Sequence, residues 1–533
     1  GKILKEVLMK RPNVLWITAL VLGWLFDFLF WKHAPGISFA IYVLLCLVGG
    51  FIVLGAQGIK PDWKALLLTL PIAFFAAMTF VRQEPLSLFL SHAFTLFLLG
   101  VLAITFLGGR WLAYSLSDYA ANFFRLAGSM IARPLIFASQ NRRQLEQGGE
   151  NHGARRVWPI LRGVLIAIPI LAVFTALLAS ADLIFAQRLD NLIALFRLEK
   201  LPEYTFRAVY ILTGAYLLAG VFLHAASQSQ DEKLIGEEKP LLPAFLGFTE
   251  AAIVLGSVVL LFAVFVVIQV QYFFGGQTNI TLQGYTYAEY ARRGFGELAA
   301  VAFFSLLLYL VLSAIVKRES LGQRWGFSGL GIGMVALVGI ILASAFQRLL
   351  LYEAAYGFSR LRTYTHLFML WLAVLLVVVI ALEILRRERT FATAALLAAI
   401  GFAMTLTLLN VDAFIVRQNV ARAAQGAELD VAYLASLSMD ATPALAAAYR
   451  SASLPSGTRD ALGASLACIS AGNRAGHLGD WQSFHLSQSR GERTLQALQM
   501  DLKNYRIVDD NWPTKVFTPQ GQEYECWVSG MSD

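Results

Sequence analysis

The 533-residue sequence predicts an all-α polytopic membrane protein: about eleven transmembrane helices, then a small, mostly helical C-terminal domain. Three observations predict it. Hydrophobic residues make up 57% of the chain, against about 45–50% in soluble proteins, and charged residues 15%, against about 25%. Apolar runs of near-spanning length recur from residue 14 to residue 411. The charge then changes sign: residues 412–533 hold ten Lys/Arg and thirteen Asp/Glu, a net −3, whereas 1–411 hold 33 and 22, a net +11. Mean hydropathy is +0.61, so a soluble fold would have no means of covering its surface. Disorder is excluded because its signature is low hydrophobicity. With 42 Gly, 15 Pro and 3 Cys, the composition fits neither a collagen nor a disulfide scaffold.

A hydrocarbon core of about 30 Å needs about 20 apolar residues per helix. Candidate spans lie at 14–31, 37–56, 65–81, 86–107, 157–180, 207–226, 245–272, 297–315, 329–351, 364–384 and 391–411. None is preceded by a short basic segment and followed by a small-residue cleavage site, so none reads as a signal peptide. With the N-terminus inside, the inner segments hold 21 basic residues, from Lys2 to Arg389, and the outer loops before the tail hold nine. That bias predicts a cytoplasmic N-terminus and, after eleven crossings, an outer C-terminus. The spans define a transmembrane domain at 1–411 and an extracytoplasmic domain at 412–533.

The inner stretch 108–156 is too polar to span. Its first half, WLAYSLSDYAANFFRLAGSMIARPLIF, carries apolar residues at helical spacing interrupted by Arg125 and Arg133. It reads either as an interfacial amphipathic helix on anionic headgroups or as a surface helix packed on neighbouring spans. Its second half, SQNRRQLEQGGENHGARR, reads as a loop. On the outer side, 181–202 alternates apolar and charged residues as an amphipathic helix would. Thr286-x-x-Glu289 matches a capping box at the start of the eighth span, with Arg292 and Arg293 at the membrane boundary. In the tail, 428–450 predicts two short helices, with Thr442-Pro443 at a helix start. A longer helix is predicted within 481–504, and short strands at YRIVDD and YECWV. Cys468 and Cys526 both lie there, and an outer location permits them to pair or to remain apart.

The sequence resembles one known family through Phe26-Asp27-Phe28-Leu29-Phe30-Trp31 with Gly36-Ile37-Ser38-Phe39, through Tyr285-Thr286-Tyr287-Ala288-Glu289-Tyr290-Ala291-Arg292-Arg293-Gly294-Phe295, and through Leu351-Tyr352-Glu353-Ala354-Ala355-Tyr356-Gly357. Asn410-Val411-Asp412-Ala413-Phe414-Ile415, Leu429-Asp430-Val431-Ala432-Tyr433-Leu434 and Asp480-Trp481-Gln482-Ser483-Phe484 continue the likeness. The family it resembles is a bacterial multi-spanning family catalogued as a domain of unknown function. The resemblance implies an envelope protein and carries over no reaction, substrate or catalytic residue. Val411 and Met439 depart from the family's usual Pro and Asp.

Ionisable groups are costly in a bilayer and mark candidate sites. Asp27, His92, Tyr287, Glu289, Arg292, Arg293, Arg348, Glu353 and Asp412 fall near the outer ends of spans and could line one polar vestibule. Asp182, Arg360 and Arg362 lie close by. Arg162 and Glu250, in the inner thirds of spans five and seven, could form an intramembrane pair. Each has a bland alternative: Asp27 holding an outer arginine, His92 as a hydrogen-bonded interior histidine, the arginines snorkelling. No His/Cys group has metal-ligand spacing, and no Walker loop, dinucleotide glycine loop or Gly-x-Ser-x-Gly elbow occurs. No catalytic residue, cofactor, metal or nucleic acid is therefore expected. The expected partners are membrane lipids and other envelope proteins or subunits of a membrane complex. The favoured function is a non-catalytic scaffold, accessory subunit or sensor. The alternatives are a transporter or flippase, against which no internal repeat is visible, and a lipid-linked glycosyl-transfer enzyme.

Overall fold

The computed structural model describes residues 11–147, 174–175, 178, 182, 201–230, 234–235, 244–274, 295–387, 390–474, 480–508 and 513–526. A backbone in lipid has to satisfy its own N–H and C=O groups, which selects helices. Ten helices among the described residues are long and apolar enough to cross a membrane. In chain order the body comprises α1 (Pro12–Phe30), α2 (Ile37–Ala56), α3 (Trp63–Leu66), α4 (Thr69–Val81), α5 (Pro85–Thr105) and α6 (Leu116–Gln147). It continues with α7 (Leu201–Ser227), α8 (Phe248–Phe274), α9 (Phe295–Ile315), α10 (Leu321–Tyr356), α11 (Arg360–Ile384) and α12 (Phe391–Leu409). Ten of the eleven expected spans correspond to these helices, with α3 and α4 sharing one. The remaining one, 157–180, lies outside the described residues but for three positions, as do 183–200 and the Thr286-x-x-Glu289 box.

Local chemistry sets the ends. Pro12 and Pro85 open α1 and α5, where a missing N–H costs nothing. The Glu84 carboxylate caps α5 by accepting from the Leu86 and Ser87 amides. Ser320 and Gln323 form a full capping box on α10. At 36 residues α10 is about 54 Å long, well beyond the hydrocarbon thickness, so it has to tilt or project. Arg348 and Glu353 thus sit within this helix rather than bracketing the end of a shorter one.

The body has two halves. In the first, α2, α4 and α5 share a core with Trp111, Tyr114 and Tyr119, and α1 packs against α7 through Leu15, Ala19, Ala215 and Ala219. In the second, α8 to α11 share another core around Phe327, Met334 and Leu349. The joint is α12: Ala392 and Ala403 enter the first core, while Trp371 of α11 fills the space a Gly401 side chain would occupy.

The helix α6 differs from expectation, running ten residues past 137 into the expected loop. Residues 138–147 are mostly Gln, Arg, Leu and Glu, all good helix formers, and Pro134 is accommodated within the helix. One face of α6 packs inward through Leu126, Met130 and Phe137; Phe124, Ile131 and Leu135 are exposed. It is packed against neighbouring helices on one side and exposes apolar residues on the other.

The tail comprises α13 (Val411–Ala423), α14 (Val431–Ala435), α15 (Thr442–Tyr449), α16 (Ser456–Arg474), α17 (Leu486–Ala497) and α18 (Gln499–Leu502). Three strands follow, β1 (Arg506–Val508), β2 (Thr514–Phe517) and β3 (Glu523–Cys526), in an antiparallel sheet of that order. Val516 pairs with both Ile507 and Tyr524 and is fully buried. Neither β2 nor α16 is anticipated by the sequence. The glycines of α16 (Gly457, Gly463, Gly472) weaken its helix signal, yet Tyr505 packs where a Gly463 side chain would be. Cys468 of α16 and Cys526 of β3 are joined by a disulfide, with Cα atoms 5.7 Å apart. The single helix expected within 481–504 is divided into a turn at Trp481–Ser483 and the pair α17 and α18.

Candidate functional site

Three interhelical turns on one side of the bundle meet the tail. At the α1–α2 turn, the Ile37 amide donates to the Phe484 carbonyl at 3.0 Å and Ser483 Oγ to the Ala34 carbonyl at 2.8 Å. His485 Nε2–H donates to the Pro35 carbonyl at 3.2 Å, and His33 faces Asp480 at 3.0 Å. Gly36 is required there, because a Cβ would stand 2.6 Å from the Ser483 carbonyl carbon. Burial holds the His485 imidazole below the usual histidine range; the nearby His92 acts in the same sense, while the Pro35 bond and Asp440 oppose it.

At the α4–α5 turn, Asp440 accepts from the Gln83 and Glu84 amides at 2.7 and 3.0 Å and lies 3.5 Å from the Arg82 guanidinium. Arg82 also donates to the Thr407 carbonyl of α12 at 2.9 Å. Glu84, besides capping α5, accepts from the Tyr364 hydroxyl of α11. At the α10–α11 turn, Asn419 exchanges two hydrogen bonds with the Phe358 backbone, at 2.8 and 3.0 Å. Gly357, at φ +79°, gives that turn its left-handed bend directly beneath Asn419.

The residues singled out from sequence separate into distinct groups here. Asp27, 1% exposed, receives a forked pair from Arg207 of α7 at 2.5–3.1 Å. Lys32 and Trp31 converge nearby on Glu203. Asp412, in the first turn of α13 rather than at the end of span eleven, is fully buried. It takes both forks of Arg360, at 2.6 and 2.7 Å, and the Ser438 amide at 2.8 Å. Arg348 donates to Gln269 Oε1 at 3.1 Å, beside Ser344. Glu353 lies 3.1 Å from His366 Nδ1. Glu250 accepts from the Gly247 amide at the start of α8. Tyr287, Glu289, Arg292, Arg293 and Arg162 lie outside the described residues, as therefore does the expected Arg162–Glu250 pair. The described members do not line one continuous vestibule: Asp27 and Asp412 are sealed by arginines, and Glu353 sits between α10 and α11. Arg207, Glu84, Asp440, Tyr364 and His366 are the partners the sequence reading missed. Arg207, Glu84, Tyr364 and His366 carry polar chemistry near a span end, and Asp440 is an acidic residue of the tail.

His92 belongs elsewhere. It lines a cavity of about 700 Å³ enclosed by α1, α2, α5, α6 and α7. Its Nδ1 meets the Leu88 carbonyl at 2.9 Å, its ring stacks obliquely on Phe39 with centroids 4.4 Å apart, and its buried Nε2 has no hydrogen-bond partner among the described residues. Nearly all the rest of the lining is hydrocarbon or aromatic, including Phe26, Phe30, Phe51 and Leu218.

Ten spanning-length apolar helices with a helical and β tail docked on one side define an integral, polytopic α-helical membrane protein. Within that class, residues 69–448 match the family model described as a domain of unknown function (DUF4153), and the chain belongs to that family. The likenesses at 26–39 and 480–484 fall outside the matched segment. No curated protein and no solved structure matches the chain.

Proposed function

We propose that this chain is a non-catalytic scaffold, accessory subunit or sensor of the membrane, with its N-terminus in the cytoplasm and residues 412–533 forming an outer domain that receives a partner. The observation that carries this reading is the fate of four buried carboxylates at the outer turns. Asp27, Glu84, Asp412 and Asp440 are each consumed by an arginine, a backbone amide or a tyrosine hydroxyl that ties helix to helix or tail to body. A general acid or an ion-coupling carboxylate needs a face open to substrate, and these have none. Trp481, Phe484 and Met500 remain exposed on the tail and supply apolar area for a partner.

A second reading, a lipid transporter or flippase, is favoured by the apolar cavity beside His92. Purification of the native protein in mild detergent separates the two. A stable co-purifying protein, lost in a Trp481→Ala/Met500→Ala variant, supports the subunit reading. A lone chain that transfers a labelled lipid between leaflets, an activity lost when Leu47→Trp fills the cavity, overturns it.

A further inference from the structure

We propose that the cavity between α1, α2, α5, α6 and α7 is a binding site for the hydrocarbon chain of a membrane lipid, whose polar end lies at His33 and His92 against the tail.

The size and lining come first. About 700 Å³ is within the range of roughly 300–1,000 Å³ typical of small-molecule sites. Phe26, Phe30, Tyr42, Phe51, Phe106 and Phe222 supply most of the wall. A void of this size left empty would strip those rings of packing partners on one side. Water is a poor filler, because a hydrating molecule needs two to four polar partners and most of this wall offers none. A flexible apolar chain satisfies both constraints.

Access and polarity follow. Leu96 stands on the rim and is 60% exposed, on a helix long and apolar enough to span, so the opening faces the surroundings that hold lipid. The polar groups gather at one end. His33, Pro35 and His92 line the cavity there, and His92 presents a buried nitrogen with no partner among the described residues. The far end is closed by Leu126 and Met130 of α6. The lining is thus graded from imidazole to hydrocarbon, as an amphipathic chain requires. A second cleft of about 390 Å³, lined by Gln83, Ser438, Asn473 and His485, adjoins the polar end. Leu88, on that cleft's wall, accepts the His92 hydrogen bond, and His485 bonds Pro35 of the cavity wall. The cleft adjoining His92 thus offers amide, hydroxyl and imidazole groups to a headgroup, and the contacts of Asp480 with His33 and of His485 with Pro35 make the tail part of the site.

The test is photo-crosslinking of the full chain in vesicles of phosphatidylethanolamine and phosphatidylglycerol. One arm uses palmitate carrying a mid-chain diazirine, the other a phosphatidylcholine whose palmitoyl chain carries the same group. Labelled peptides from 39–51, 92–106 and 218–225 are expected in at least one arm, and the arm that labels tells a free fatty acid from a diacyl lipid. Leu47→Trp, which fills the cavity, is expected to lower that labelling about tenfold, whereas Leu260→Trp on the exposed face of α8 leaves it unchanged. Should Leu47→Trp fail to fold, Leu96→Trp at the rim replaces it. Cys46, which lines the cavity and is free, gives a second readout: palmitate is expected to slow its alkylation by N-ethylmaleimide in detergent. Labelling confined to α8 and α9, or cavity labelling unaltered by both tryptophan variants, overturns the proposal.

Discussion

In the first half of the bundle, α1 to α7, the buried carboxylate of Asp27 is held by an arginine and the helices part around a large cavity. In the second half, α8 to α11, the buried carboxylate of Glu353 faces a histidine and the helices pack around Phe327, Met334 and Leu349. The packing differs locally. On α10, Gly331 lets the Tyr309 ring lie against its backbone, and Phe327 stacks on that ring with centroids 5.7 Å apart. On α2, Gly50 meets the Phe222 ring and lines the cavity. Close packing on glycine occurs in both halves, since Gly100 lies against Phe123 and Gly220 against the Met130 backbone, whereas Gly50 borders open space.

The largest expected effect separates the two carboxylates. Asp27→Asn removes the charge-assisted fork from Arg207, which is partly exposed and keeps Glu203 nearby, and is expected to cost about 2.5 kcal/mol. Glu353→Gln keeps a polar group facing His366 Nδ1 and is expected to cost about 1 kcal/mol. Denaturant titration of the purified protein in mixed micelles, followed by tryptophan fluorescence, measures both. Equal costs would remove the distinction drawn between the halves.

Packing gives the next effect. Gly331→Ala drives a methyl into the Tyr309 ring and is expected to cost about 2 kcal/mol, whereas Leu47→Phe grows into the cavity and is expected to cost under about 1 kcal/mol. The same titration reports it, and a Leu47→Phe cost equal to that of Gly331→Ala would mean that the first half is as full as the second.

The spans were legible from sequence because hydrocarbon thickness is a one-dimensional constraint: a run such as 37–56 is apolar for long enough or it is not. Pairings were not. Asp27 and Arg207 are 180 residues apart, and Gln83 and Asp440 are 357 apart. Asp27 could be read as seeking an arginine, but nothing in the chain's order names which. The cavity was less legible still, since Phe51 and Leu218 look the same in sequence whether they face a neighbour or a void. His92 was noticed for its chemistry, and its role as the polar end of an apolar chamber appears only once α1, α2 and α7 surround it. In the tail, α16 escaped notice because its glycines weaken the helix signal while Gly463 serves contact with Tyr505.

The smallest effect concerns the two latches of the tail. The second-half latch uses Asn419 and Arg422, which keep their charge state between pH 5 and 8, while the first-half latch includes His485. Burial lowers the His485 pKa in the folded protein, so its contribution is fully present above the unfolded value of 6.5 and is lost as pH falls through the lowered one. Hydrogen exchange of the Ile37 amide, which is bonded to Phe484, is therefore expected to quicken below about pH 6.5 relative to that of the Phe358 amide. His485→Gln tests the assignment: without the buried imidazole, acid is expected to leave the Ile37 amide as protected as at neutral pH. An acid-induced loosening that persists in His485→Gln would assign the sensitivity to another group on the α1–α2 turn.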